Sequence, residues 1–257
     1  VRISHTAHMN TKRALLVGIN YTGTHNALNG CINDVASIKA YLLRKGFQEE
    51  HIEILTDDTE EKPTRRNILM ALTRMILSGS KVMFFHYSGH GSYLRDVSGD
   101  EQDGYDECLV PLDYREAGMV TDDHLRSVLG LMRGNQQITC LLDCCHSGTG
   151  IDMGWNVYMD MSKNLLMMKD SNYSQLDGSI VMFSGCQDNQ YSADAWVENK
   201  YQGAMTWAFL ACLGDYGHEG ISYRKALEEI RKTLKRSHFE QVPSLSSNYC
   251  IDLDWEF

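Results

Sequence analysis

The sequence predicts an α/β protein: a three-layer sandwich with a mostly parallel central sheet flanked by helices. Five short apolar runs, at residues 14–20, 52–55, 82–87, 138–143 and 179–184, alternate with segments whose apolar residues recur at helical spacing. The runs are apolar throughout rather than every second residue, the pattern of strands buried on both faces. At 257 residues and 43% hydrophobic content, the chain is long and apolar enough to bury one large core.

Each element follows in order. Residues 1–11 are polar without a period and read as an N-terminal arm, ahead of a single domain over 12–257. Residues 14–20 (ALLVGIN) form a central strand, and the Gly/Thr/Asn-rich stretch 21–30 a loop. Asn33 or Asp34 caps a helix running to Arg44, with Val35, Ile38, Leu42 and Leu43 on one face and Gly46 closing it. After the strand 52–55, Pro63-Thr64 opens a helix carrying Ile68, Leu69, Leu72 and Ile76, stopped by Gly79. The strand 82–87 (VMFFHY) runs into Ser88-Gly89-His90-Gly91-Ser92.

Residues 98–113 are acidic, with an apolar piece at 108–112 expected as a hairpin arm. A helix at 122–133 precedes the strand 138–143, which stops at Asp143-Cys144-Cys145-His146-Ser147-Gly148. Residues 149–177 carry five Met among Gly, Asp, Asn and Ser, and are expected as one long mobile loop. The fifth strand at 179–184, helices at 204–213 and 222–235, and a last strand at 248–253 complete the chain. There is no internal repeat and no inter-domain linker.

Composition narrows the function. A net charge of −10 argues against nucleic acid and anionic membranes, and suits a cationic substrate or a divalent metal. No apolar stretch is long enough for a transmembrane segment, and no signal peptide opens the chain. A first residue of Val rather than Met marks an expected piece of a longer polypeptide. The eight Cys show neither CxxC pairs nor Cys/His zinc spacing, so disulfide frameworks and zinc ribbons are not expected. An intracellular, reducing and cytoplasmic setting and a monomer are expected.

Two strand ends carry the chemistry. Glycines on both sides of His90 allow a tight turn and leave the imidazole uncrowded. If the third and fourth strands are neighbours, His90 and one of the two cysteines meet at carboxyl ends of strands, where α/β sheets bind ligands. A thiolate is a strong nucleophile and a nearby imidazolium raises its fraction. Backbone amides of Gly91 and the cysteine turn are natural donors to an oxyanion.

The segments His86–Ser92 (HYSGHGS) and Asp143–Gly148 (DCCHSG) resemble the two signature motifs of metacaspases, in the caspase-like superfamily of cysteine peptidases. The 55 residues from His90 to Cys145 suit that superfamily. Further likeness lies in Gly30-Cys31-Ile32-Asn33-Asp34, Asp103-Gly104-Tyr105-Asp106-Glu107, Thr121-Asp122-Asp123 and Ser184-Gly185-Cys186-Gln187-Asp188, and without a very long insertion the chain resembles the type I group.

The resemblance implies a caspase-like fold and a thiol protease cutting protein or peptide substrates after Arg or Lys. The family pattern aligns the nucleophile with Cys145, and His90 with its partner. The alternation of a strand end agrees, since adjacent side chains turn to opposite faces and only one cysteine can face His90. Asp143, two residues before Cys145, is placed to read a basic side chain. By resemblance Asp34 joins it, with Cys31 and Ser88 lining the walls. His146 is expected to be structural.

The acidic residues Asp100, Asp103, Asp106, Asp122, Asp123 and Asp152 offer hard oxygen donors of the kind Ca²⁺ takes, without EF-hand spacing. The resemblance implies a calcium site on Asp106, Asp122, Asp123 and Asp152, with Asp103 as substitute. Lys163 and Lys169, in the loop after the nucleophile, are candidate self-processing sites. The reading is therefore a Ca²⁺-dependent cysteine endopeptidase with a Cys145–His90 dyad. The rival is a catalytically silent caspase-like protein binding partners through the same groove.

Overall fold

Parallel neighbours need long crossovers, and the first half of the chain supplies them as helices. The computed structural model describes residues 11–95, 105–144, 153–169, 176–185, 194–197, 200–215 and 220–256. Strand β1 (Lys12–Gly18) leads to helix α1 (Cys31–Arg44), then β2 (Ile52–Thr56), α2 (Arg65–Leu77) and β3 (Val82–Ser88). A small antiparallel sheet follows, made of β4 (Gly91–Arg95), β5 (Tyr105–Leu109) and β6 (Val120–Thr121). The one-turn helix α3 (Tyr114–Ala117) lies between its last two strands, and α4 (Asp122–Leu129) returns the chain to β7 (Gln137–Asp143).

Then come the hairpin β8 (Trp155–Met159) and β9 (Leu165–Lys169), strand β10 (Ser179–Ser184), and the antiparallel pair β11 (Asp194–Val197) and β12 (Lys200–Gly203). Helices α5 (Ala204–Asp215) and α6 (Tyr223–Arg236) and strand β13 (Ser244–Ser247) close the fold.

Among the described residues the main sheet runs β2-β1-β3-β7-β10-β13-β8-β9. The first five strands are parallel neighbours, whereas β13, β8 and β9 join antiparallel. The sheet sits between two cores, and its strands divide their residues between them with a period of two. Ala14, Leu16, Phe84 and Leu141 pack on the face that also buries apolar residues of α1, α5 and α6. Leu15, Val17, Phe85, Tyr87, Cys140, Leu142 and Cys144 pack on the face toward α2 and α4.

Local chemistry explains the helix starts. Thr64 caps α2 by accepting the Asn67 N–H, and Thr121 and His124 form a reciprocal capping box on α4. Helix α1 differs from expectation: it begins at Cys31 after Gly30 and has no side-chain cap, so Asp34 lies within its first turn. Helix α4 stops at Leu129 with Gly130 as C-cap, short of the expected 133.

Two further expectations are corrected. Residues 149–177 are not one loop, because they contain the β8–β9 hairpin. Its turn is built on Asp160, whose carboxylate accepts the Asn164 N–H at 2.7 Å, with Lys163 left-handed at φ 66°. One face buries Val157 and Leu165 while Tyr158, Leu166 and Met168 are exposed. Unbranched Met and outward apolar residues blur the alternation that would have marked these strands. The last strand is β13 at Ser244–Ser247 rather than 248–253; Asn248 instead spends its amide on Leu176 O and Gly178 O, both at 2.9 Å. Residues 1–10 of the expected arm lie outside the described residues. Among the described residues no helix is long and apolar enough to cross a membrane.

Ile230 of α6 is fully buried in the α1/α5/α6 core. Ile230→Val is expected to lower the unfolding free energy by about 0.5–1.5 kcal/mol, read as a lower urea midpoint, with the chemistry of the distant site unchanged.

Candidate active site

Strands β3 and β7 are direct neighbours, with Ser88 opposite Asp143, and the Gly89 N–H donates to Asp143 O at 3.3 Å. The two motif-bearing strand ends are therefore level. Ser88 and Asp143 lie on the face toward α1 and α5, and their side chains are each 1% exposed.

Asp34 reaches the same place from the first turn of α1. It accepts the Ser88 hydroxyl at 2.6 Å and the Gly203 N–H at 2.9 Å to each oxygen. Asp143 accepts the Thr206 N–H through Oδ2 at 2.6 Å, while its buried Oδ1 has no hydrogen-bond partner among the described residues. Gly203 separates the two carboxylates so closely that a Cβ there would lie 2.7 Å from Asp143 Cγ and 2.8 Å from Asp34 Oδ2. Cys31, 4% exposed, opens the same helical turn and donates its N–H to Asn20 Oδ1 at 3.0 Å. Of the four residues expected around a basic side chain, Asp34, Ser88 and Asp143 are gathered in one small volume, and Cys31 lies one helical turn before Asp34.

Burial pushes the Asp34 carboxyl well above the usual carboxylate range, and the charge of Asp143 pushes it further; Ser88, Gly203 and Lys200 offset this in part. Burial also raises Asp143, against the opposing hydrogen bond from Thr206. Two desolvated carboxylates side by side are costly until a cation joins them. A guanidinium or ammonium entering beside the open Oδ1 would relieve that cost.

His90 stands just past β3. Its Nε2 is 2.7 Å from the Asn26 carbonyl oxygen. A carbonyl only accepts, so Nε2 carries a hydrogen, and in a neutral ring Nδ1 is then the basic nitrogen. Its ring lies against Tyr21 with 4.7 Å between centroids, and both border a cleft of about 560 Å³. Cys144 is 1% exposed in the α2/α4 core, on the face of β7 opposite Asp143.

A model of the "Metacaspase, peptidase C14 domain" matches residues 12–154. Metacaspase-1 of Mycosarcoma maydis is 32% identical over 305 residues, covering all of this chain and 75% of that protein. Metacaspase-1B of Aspergillus terreus is 33% identical over 306 residues, covering all of this chain and 80% of its own length. The chain belongs to the metacaspase family. A crystal structure of protein GSU0716 from Geobacter sulfurreducens superposes with a TM-score of 0.68 at 26% identity, covering 95% of this chain and 97% of that one. As a metacaspase the chain is a caspase-like cysteine peptidase, and its substrates are proteins.

Other expected site residues of this metacaspase are less complete. Cys145, His146 and Asp152, and the substitute Asp103, lie outside the described residues. Asp106 and Asp122 both lie near the Cys108 thiol, where β5 pairs with β6 through Cys108 and Thr121. The Cys108 thiol is pushed up to about 12, by burial first and then by the charges of Asp122 and Asp106. Asp122 is buried and Asp123, its neighbour in α4, is exposed. Among the described residues no three acidic, imidazole or thiol groups are gathered closely enough to hold a metal. The Asp106 and Asp122 carboxylates are of the donor type a hard cation such as Ca²⁺ takes.

Several residues of the site carried no sequence signal. Gly203 and Thr206 fall where a strand end meets an apolar helix, and only the approach of β12 to α1 gives them a role. The β12 backbone is fastened there by Asn33 Nδ2 donating to Tyr201 O at 2.8 Å. His86 is fully buried and driven down to about 3 by burial, hence neutral, with Nε2 3.1 Å from Thr206 Oγ1. Its place in an apolar run pointed to burial, not to its partner.

Because the folded carboxyls titrate above their unfolded value of ~3.9, their contribution to stability is full below that value and is lost as pH rises through the raised folded pKa. Asp143→Asn is therefore expected to gain stability relative to the parent as pH rises above about 4, checked by melting temperature across pH; a constant difference would contradict the shift. Gly203→Ala is expected to disrupt the pair, with peptidase activity falling about 100-fold or more, measured as kcat/KM.

Proposed function

We propose that this chain is an endopeptidase cleaving after Arg or Lys, with Cys145 as nucleophile and His90 as general base and acid. The observation that carries it is the buried Asp34–Asp143 pair, with one Asp143 oxygen unpartnered among the described residues, at the end of the strand beside the one that leads to His90. Such a pair complements a basic P1 side chain and repels an acidic one. Cys145 is favoured over Cys144 because Cys144 belongs to the opposite core, turned away from both carboxylates.

In this reading Nδ1 of His90 takes the Cys145 proton and the thiolate attacks the carbonyl carbon of the P1 residue. The imidazolium then gives its proton to the departing amine as the C–N bond breaks. Water, deprotonated by the same imidazole, cleaves the resulting thioester and frees the thiol. The Asn26 carbonyl steadies the imidazolium, since it accepts from Nε2 throughout.

Calcium dependence is part of the proposal. Asp106, Asp122, Asp123 and Asp152 would hold the ion, whose double charge would draw these acidic segments together. Self-processing is also proposed. Lys163 and Lys169 are both exposed, but Lys163 sits in a left-handed hairpin turn. A peptidase groove takes an extended segment, so Lys169 at the end of β9 is the favoured site.

Fluorogenic peptides ending in Arg, Lys or Asp test this with and without Ca²⁺. Arg and Lys peptides are expected to be cut only when Ca²⁺ is present, and the Asp peptide not at all. Cys145→Ala should abolish cleavage while Cys144→Ala leaves it nearly intact, and Asp143→Asn should cut kcat/KM for Arg about 100-fold or more. Arg cleavage surviving Cys145→Ala would sink the nucleophile assignment, and full activity in a chelator would sink the calcium dependence.

A further inference from the structure

A Gly-His-Gly segment has little stiffness of its own, yet a general base must be held to within fractions of an ångström. The structure shows what stiffens it. Tyr21 and Tyr87 are buried phenols, 2% and 0% exposed. Tyr21 takes φ 50°, a left-handed backbone that a bulky residue rarely adopts. Its hydroxyl donates to Val110 O at 2.6 Å and accepts the His90 N–H at 3.0 Å. The Tyr87 hydroxyl donates to His90 O at 2.8 Å and accepts the Val110 N–H at 3.2 Å. Both peptide groups of His90 are therefore bonded by phenols, its carbonyl also accepting the Val110 N–H at 3.2 Å, and both phenols are anchored on the same residue beyond β5.

Two other features belong to this arrangement. A Cβ on Gly89 would lie 2.8 Å from the Tyr87 oxygen and 3.1 Å from the Tyr21 oxygen. The glycine before His90 thus makes room for the hydroxyls rather than only for the imidazole. The Tyr21 ring, besides, is the surface against which the imidazole rests. Burial raises both phenols further above their ordinary range, so they remain protonated donors wherever the peptidase works.

We propose that Tyr21 and Tyr87 are positioning residues of the peptidase, a pair of phenols that grips His90 by its own peptide groups and sets the imidazole for proton transfer. This rests on the reading of His90 as general base. Neither phenol touches the P1 carboxylates in this arrangement, so their work appears in kcat and not in substrate affinity.

Tyr21→Phe and Tyr87→Phe test it in the full chain, by steady-state kinetics on an Arg peptide, pH profiles and melting temperature. Either hydroxyl loss is expected to lower kcat about 10-fold or more, with KM within about two-fold, and to shift the imidazole limb of the kcat–pH profile. Ile230→Val, destabilised at a distance, should keep its kcat and profile. In a His90→Ala background, adding Tyr21→Phe should change the single-turnover rate by less than about two-fold, because groups acting as a unit are not additive. Unchanged kcat in both Phe variants would overturn the proposal, as would an equal further loss without His90. Full activity of His90→Ala alone would instead overturn the general-base reading beneath it.

Discussion

Two carboxylates cannot be buried side by side without compensation, and the site of this metacaspase is organised around that constraint. Asp34 and Asp143 are both almost fully enclosed, and each is met by backbone N–H groups from the β12–α5 junction. The first-turn position of Asp34 in α1 adds the favourable end of the helix dipole. These donors lessen the cost without cancelling it, since both groups remain raised. The residual demand for positive charge is the property on which the proposed preference for a basic side chain rests.

Meeting that constraint takes elements far apart in sequence. The parallel register of β3 and β7 makes Ser88 and Asp143 level, and α1 packs against the same face of the sheet. Strand β12 then lies across the N-terminal end of α1, where a Cβ on Gly30 would lie 2.7 Å from Gln202 Cα. Lys200, on the same strand, donates to Ser37 at 3.2 Å and acts on Asp34 only from a distance. The protein's own lysine thus bonds elsewhere, and Asp143 Oδ1 has no hydrogen-bond partner among the described residues. The opposite face of the sheet serves the base: Tyr21, Tyr87 and Cys144 fill that core, and the phenols continue up to His90.

How much was legible depended on how local the signal was. The five parallel strands announced themselves as continuous apolar runs because both their faces are buried. The antiparallel additions did not, since β8 and β9 expose one face and use Met where β-branched residues would have marked a strand. Asp34 was legible as a helix-start residue, but its cap role was displaced once Ser88 and Gly203 took its oxygens. The preference of a short polar side chain for a cap is worth about 1 kcal/mol, and tertiary partners outbid it.

The sequence by itself determined the α/β class, the two motifs at strand ends and, through them, the family, because apolar runs and motif spacing are properties of contiguous residues; Asp34 was joined to Asp143 only by that resemblance. Only the tertiary structure decided that Gly203 separates those carboxylates, that Thr206 holds one of them, that Asn26 sets the His90 tautomer, and that two tyrosines hold the His90 backbone. Those are contacts between segments up to 169 residues apart. Strand order and register, not local propensity, bring such segments together.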